Sequence, residues 1–203
     1  MKSLLIFLIF VLLSVSCKDS KEKLPKAAPF VKQKETKKSV AQKGPIINII
    51  DTVEIKRTIL CLKDSAANME ILKDKLSSIF KKILPDAILV SKLKIIGDPM
   101  VWYQSNKAPF FFKAGIPVDK VPAKLSKGIF ITKTGGDSAL VAHFFGPLEL
   151  LGVGHDALTD MLRENNKKRT SPAYEVYRDS IYLKNNEETN YYKLQTDIVM
   201  PYK

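Results

Sequence analysis

Between residues 45 and 203 one order of apolar segments, glycines and prolines occurs twice, and this duplication constrains the fold more than any other feature of the chain. The first passage opens with IINIIDTVEIKRTILCL (46–62), where Val53, Ile55, Ile59 and Cys61 alternate onto one face, as a strand requires. A helix is predicted over 65–84: Met69, Leu72, Leu76, Ile79, Phe80 and Ile83 form an apolar stripe, Asp64 or Ser65 can cap the start, and Pro85 closes the end. Strands follow around KIIGDPMVWYQ (94–104) and PFFFKAGIPV (109–118), separated by the polar turn Ser105-Asn106-Lys107. The second passage repeats the order. GIFITKT (128–134) and SALVAHFF (138–145) flank the turn signal Gly135-Gly136-Asp137, and Gly146-Pro147 opens a second helix over 147–164. AYEVYRD (173–179) and YYKLQTDIVM (191–200) complete it, joined by the polar loop 183–190. Pro99 and Pro172 mark matching points, as do Pro117 and Pro201.

The expected class is therefore α+β: a duplicated strand-helix-strand-strand unit, with repeats of about 45–120 and 121–203. Each half alone has one helix on one face of a small sheet. Side by side, the halves would form one antiparallel sheet with both helices on one face and a ligand groove on the other.

Residues 1–44 have a different character. Lys2 precedes the apolar run Leu4–Leu13, which has the length of a signal-peptide core and falls short of the roughly 20 residues of a membrane span. Residues 18–44 follow with nine lysines and three acidic residues, too little apolar content to offset chain entropy, so a disordered tether is expected. The tether carries +6 and Lys2 another +1 of the net +12, which leaves +5 for residues 44–203. The basic balance thus describes a segment beside anionic lipid, or a plain solvated spacer, more than a nucleic-acid face. No helix-turn-helix segment stands ahead of the folded region, and no nucleic-acid partner is expected. Ser14-Val15-Ser16-Cys17 resembles the lipobox of bacterial lipoproteins, although Leu13 stands four residues before the cysteine and Ser14 takes the usual leucine position. The resemblance implies a signal peptide of residues 1–17, lipidation of Cys17 and a folded domain in the bacterial cell envelope, outside the cytoplasm. With Cys17 lipidated, Cys61 has no disulfide partner, and no metal-ligand spacing is present.

Chemistry concentrates in SPAYEVYRDS (171–180). Strand alternation places Ala173, Glu175 and Tyr177 on one face and Tyr174, Val176 and Arg178 on the other. A carboxylate between tyrosines is a poor core residue and a good anchor for a delocalised cation, which it attracts by charge while the rings attract it by their quadrupoles. A cross-strand partner such as Lys193 is the alternative. If Pro99 is aligned with Pro172, Trp102 faces Glu175 as the opposite wall; if Tyr103 is aligned with Tyr177, Tyr103 takes that place and Trp102 turns toward the helices. Tyr191 and Tyr192 fall on opposite faces of the last strand, and Tyr192 is the one assigned to the groove. His143 reads as a structural strand residue and His155 as an exposed helical one. No serine or cysteine has a His/Asp constellation around it.

HFFGPLELL (143–151), SPAYEVY (171–177), GDPMVWY (97–103) and GIPV (115–118) together resemble the gyrase-inhibitor-like effector-binding domain, the module also found behind the DNA-binding parts of multidrug-responsive bacterial activators. The likeness covers about 45–203. It implies a duplicated fold with an aromatic-lined groove and a ligand-contacting glutamate at position 175, the ligands often being hydrophobic cations. Leu148 stands where that family commonly has tyrosine, which makes one edge of the groove drier.

Three functions are consistent with these residues. The leading one is a membrane-tethered binding module for a small hydrophobic ligand, cations included, without a cofactor. Its ligand-binding residues would be Glu175, Tyr177, Trp102, Tyr103 and Tyr192. The second is a hydrolase of reactive small molecules with Glu175 as general base or charge stabiliser. The third is a haem protein similar to the SOUL family, for which His143 or His155 would supply the iron ligand. Oligomeric state is left open.

Overall fold

The computed structural model describes residues 44–105, 107–179 and 190–203. The leader, the tether, Cys17, Asn106 and most of the 183–190 loop lie outside the described residues. Eight strands form one antiparallel sheet: β1 (Ile46–Val53), β2 (Arg57–Ala66), β3 (Met100–Tyr103), β4 (Phe110–Val118), β5 (Ile129–Thr134), β6 (Ser138–Phe145), β7 (Tyr174–Tyr177) and β8 (Gln195–Tyr202). Their spatial order, β1-β6-β8-β7-β3-β4-β2-β5, is symmetric about the β7–β3 pair, where the two halves meet. The α+β duplication expected from the sequence is present.

The first half proves to have one more strand than expected. The stretch 46–62, read as one strand region, is two strands broken at residues 54–56, and the unit is strand-strand-helix-strand-strand. The leading strand of each unit is exchanged: β1 pairs with β6 of the second half, and β5 pairs with β2 of the first. Gly135-Gly136-Asp137 is accordingly no hairpin turn. It crosses the 54–56 linker, with Glu54 N–H donating to Asp137 O at 2.9 Å and Gly136 N–H to Glu54 O at 2.8 Å.

These linkers dictate the curvature of the sheet. β1 and β2 are six strand spacings apart, about 29 Å along a flat sheet. Residues 54–56 span at most about 14 Å between the strand ends. The sheet must therefore curl until its two sides meet. Its inner face is filled by Ile59, Cys61, Met100, Trp102, Tyr174, Val176 and Val199, all buried.

The helices cover the outer face. The first runs from α1 (Met69–Ser78) through a π turn (Ile79–Ile83) into α2 (Leu84–Val90). It starts later than the sequence suggests, because the β2–β4 ladder continues to Ala66↔Phe110 and keeps Asp64 and Ser65 in the strand. Asn68 is the cap instead, its Oδ1 accepting from Ile71 N–H at 2.9 Å. The helix also passes Pro85, expected to end it. The π turn, in which Leu84 N–H reaches back to Ile79 O, widens the backbone one turn before a residue that has no N–H to give and whose ring crowds the preceding turn. In the second half a 3-10 turn (Leu148–Leu150) leads into α3 (Leu151–Glu164). Gly154 lets α3 sit close on β8: a Cβ there would lie 2.4 Å from Ile198 Cδ1.

Candidate functional site

β7 places Glu175 on the outer face of the sheet, opposite Val101 of β3, at the seam between the halves. Both α1 and α3 stand on this face, and between them lies a cavity of about 860 Å³. Met69 and Leu72 of α1, Leu151 of α3, Tyr103 and Phe112 of the sheet supply its apolar wall. The cavity thus opens on the helix-bearing face, whereas the sequence reading put the groove on the opposite one. The physical reason is the curl: the inner face is closed and packed by its own side chains.

Glu175 is 4% exposed. Its Oε2 accepts a 2.5 Å hydrogen bond from Tyr177 Oη, and Tyr177 Oη lies 3.1 Å from Tyr103 Oη. Its Oε1 lies 3.1 Å from His155 Nε2, contributed by α3. A buried carboxylate with both oxygens engaged is fixed in orientation, and Glu175 borders the cavity. Such a floor can hold an organic cation, or it can orient a water for proton abstraction with the imidazole as relay.

At the rim, Lys73 of α1 is ion-paired with Glu149 of the 3-10 turn, joining the two helical layers across the opening. Burial alone would raise the Glu149 carboxyl, but hydrogen bonding to Lys73 holds it below its usual range. Leu148 also lines the cavity, at the position expected to be dry.

The residues singled out from the sequence separate as follows. Glu175, Tyr177 and Tyr103 come together. Tyr103 pairs with Phe112 of β4 and Tyr177 with Thr196 of β8, positions made equivalent by Pro117 and Pro201, so Tyr103 is the counterpart of Tyr177. Trp102 borders the cavity, yet its indole packs on the inner face, 5.1 Å from the Tyr174 ring and with Lys113 Nζ 3.8 Å over its own. Tyr192 sits in a 3-10 turn (Tyr191–Lys193) ahead of β8, half-buried and not among the residues of the cavity wall. His155, expected to be exposed, is instead 22% exposed in its side chain and bonded to Glu175. Its signal was in the sequence: Leu151, His155, Leu158 and Leu162 share one helical stripe.

Two further polar groups lie away from the cavity. Asp197, 1% exposed, accepts from Arg178 Nε at 2.6 Å and Gln195 Nε2 at 2.7 Å and lies 2.7 Å from His143 Nδ1. Burial would raise its carboxyl, but these hydrogen bonds keep it below the usual value. Glu54 receives the Tyr174 hydroxyl at the linker crossing, and burial pushes its carboxyl up to about 7. Burial likewise pushes the Cys61 thiol up to about 11, so it is inert at neutral pH. Among the described residues no cluster of three or more His, Cys, Asp or Glu is placed to hold a metal. For either histidine to ligate haem iron through the bonded nitrogen, it would have to leave its carboxylate partner.

No family model and no curated protein matches the chain. Among solved structures, the C-terminal domain of EcmrR superposes with a TM-score of 0.62 at 11% identity, covering 78% of this chain and 98% of that one. EcmrR in a complex with DNA gives 0.58 at 15% identity, over 78% and 57% of the respective chains. A hydrolase from Listeria innocua gives 0.52 at 8% identity, over 76% and 91%. At these identities the likeness is one of fold alone.

Proposed function

We propose that this protein is a binding module for a small hydrophobic ligand, cations included, held between α1 and α3 with Glu175 as its polar anchor. The observation that carries the reading is a nearly inaccessible carboxylate on the wall of a cavity large enough for a drug-sized molecule. Tyr177 and His155 orient that carboxylate, while Tyr103 and Phe112 offer ring faces. The module is tethered to a membrane through lipidated Cys17 and the lysine-rich segment, outside the cytoplasm, and this part rests on the sequence pattern of residues 1–44.

Calorimetric titration with a lipophilic cation and a neutral molecule of the same shape tests the reading. Glu175→Gln should weaken the cation by about tenfold or more, the scale of a lost charged hydrogen-bond partner, and leave the neutral analogue within about threefold. Equal losses for both would sink the charge-based reading. A second reading, hydrolysis, is favoured by one contact, His155 Nε2 on Glu175 Oε1; the Listeria protein named a hydrolase shares the fold. It requires product formation from an electrophilic substrate that both Glu175→Gln and His155→Ala abolish.

A further inference from the structure

The net charge of the folded part is concentrated in one place. Residues 44–203 contain 23 basic and 18 acidic residues. Lys81 and Lys82 belong to the π turn of the first helix, Lys92 and Lys94 to the segment after it, and Lys120, Lys124 and Lys127 to the loop between β4 and β5. All seven are exposed, and over 81–96 and 119–127 only Asp86 and Asp119 oppose them, a net +5. The remainder of the folded part, 16 basic and 16 acidic residues, is neutral.

The two segments are neighbours in space. Lys94 N–H donates to Asp119 Oδ1 at 2.8 Å, Asp119 N–H donates to Lys94 O at 3.1 Å, and Ile95 bridges to Val118. Val90 shares a shallow depression with Ser126 and Lys127. Between the lysines stand aliphatic side chains turned to solvent: Leu89 and Val90 are each 77% exposed, Ile96 58%, Val121 57%, Ile95 54% and Leu125 42%. Single exposed aliphatics are ordinary on a protein surface, but six on two adjoining segments, ringed by lysines, are not.

We infer that this face docks on an anionic lipid bilayer, with the lysines among the head groups and Leu89, Val90, Ile95, Ile96, Val121 and Leu125 reaching the acyl boundary. Charge complementarity supplies the long-range attraction, and the aliphatics supply the part that salt does not screen. A nucleic-acid surface is the less fitting partner, since the patch has no arginine and no aromatic ring for phosphate forks or base stacking. No helix of the described residues is long and apolar enough to cross a membrane, so the contact is peripheral. The inference concerns the folded domain and does not depend on lipidation of Cys17 or on the cavity's ligand.

Co-sedimentation of the full chain with phosphatidylcholine vesicles, with and without phosphatidylglycerol, tests it. Lys92→Glu/Lys94→Glu should lower partition onto the anionic vesicles by about tenfold or more, and Leu89→Ser/Val90→Ser by a similar factor. The charge-matched control Lys193→Glu/Lys203→Glu should behave as the unaltered chain. All these side chains are exposed, so unfolding midpoints should stay unchanged, which separates lost docking from lost folding. If both patch variants match the control, the tether carries all adsorption and the inference fails. It fails equally if the lysine variant weakens binding while Leu89→Ser/Val90→Ser does not, since the patch is then a plain polyanion site. A loss of self-association in Leu89→Ser/Val90→Ser without change in vesicle binding would assign the face to a second copy of the chain instead.

Discussion

Two buried carboxylates of this protein, Glu175 in a strand and Glu54 in a linker, bear different consequences. Glu175 faces a cavity and is oriented by Tyr177 and His155; Glu54 faces the closed interior and receives the Tyr174 hydroxyl. The Glu54 carboxyl rises from 4.5 to about 7 because burial disfavours its charge. A raised carboxyl binds its proton more tightly in the folded state, so stability is greatest below the unfolded value and falls as pH climbs toward 7. The loss should be on the order of 3 kcal/mol. Denaturant titrations between pH 4.5 and 7.5 should show this decline, and Glu54→Gln should flatten it; an unchanged slope in the variant would refute the assignment. Asp197, lowered by its hydrogen bonds, acts in the opposite sense and only in acid, where stability is lost as pH falls below the ordinary carboxylate range. Glu175 was legible as a candidate from its own strand, because alternation fixes the face it shares with Tyr177. The partnership with His155 was not, since it joins a helix and a strand whose relative placement no local pattern records.

At the scale of elements, the crossing of the 54–56 and 135–137 linkers is the most demanding local feature. Gly135 has a φ of +93°, and a Cβ there would lie 2.1 Å from Ile55 O. Gly128 has a φ of +82° with open space around it. Gly135→Ala should therefore cost more than about 3 kcal/mol, because backbone must move as well as twist, whereas Gly128→Ala should cost only about 1–2 kcal/mol of left-handed strain. Equal effects in thermal or chemical unfolding would mean that the crossing is not tight. The Lys73–Glu149 pair makes a different demand. With side chains 41% and 50% exposed it contributes little stability, below about 1 kcal/mol, yet it joins the two sides of the cavity mouth. Glu149→Gln should leave the unfolding midpoint nearly unchanged and raise the ligand association rate about threefold; an unchanged rate would deny it a gating role. Pro85 shows how a strong local signal is overridden: proline in a helical pattern reads as a stop, but a π turn upstream lets the helix continue and bring Ala87 and Ile88 into the core.

At the scale of the folded part, residues 44–203, charge and sheet curvature are separable. Within residues 44–203 the net charge divides into a neutral body and one basic, aliphatic-studded face, while the curl of the eight-stranded sheet follows from two three-residue linkers that pull its sides together. That closure fills the inner face and leaves the outer, helix-bearing face as the place where a cavity can remain. The sequence by itself determined the α+β class, the duplication, most strand positions and that Glu175 and Tyr177 share one face, because side-chain alternation and helical stripes are local consequences of backbone geometry. Only the tertiary structure decided that β1 and β5 are exchanged between halves, that Tyr103 and not the Trp102 indole meets the site, that His155 turns inward, and on which side of the sheet the cavity opens. Each of those depends on pairing between segments up to 99 residues apart, as Ile46 is from Phe145, and on a curvature that no window of sequence contains.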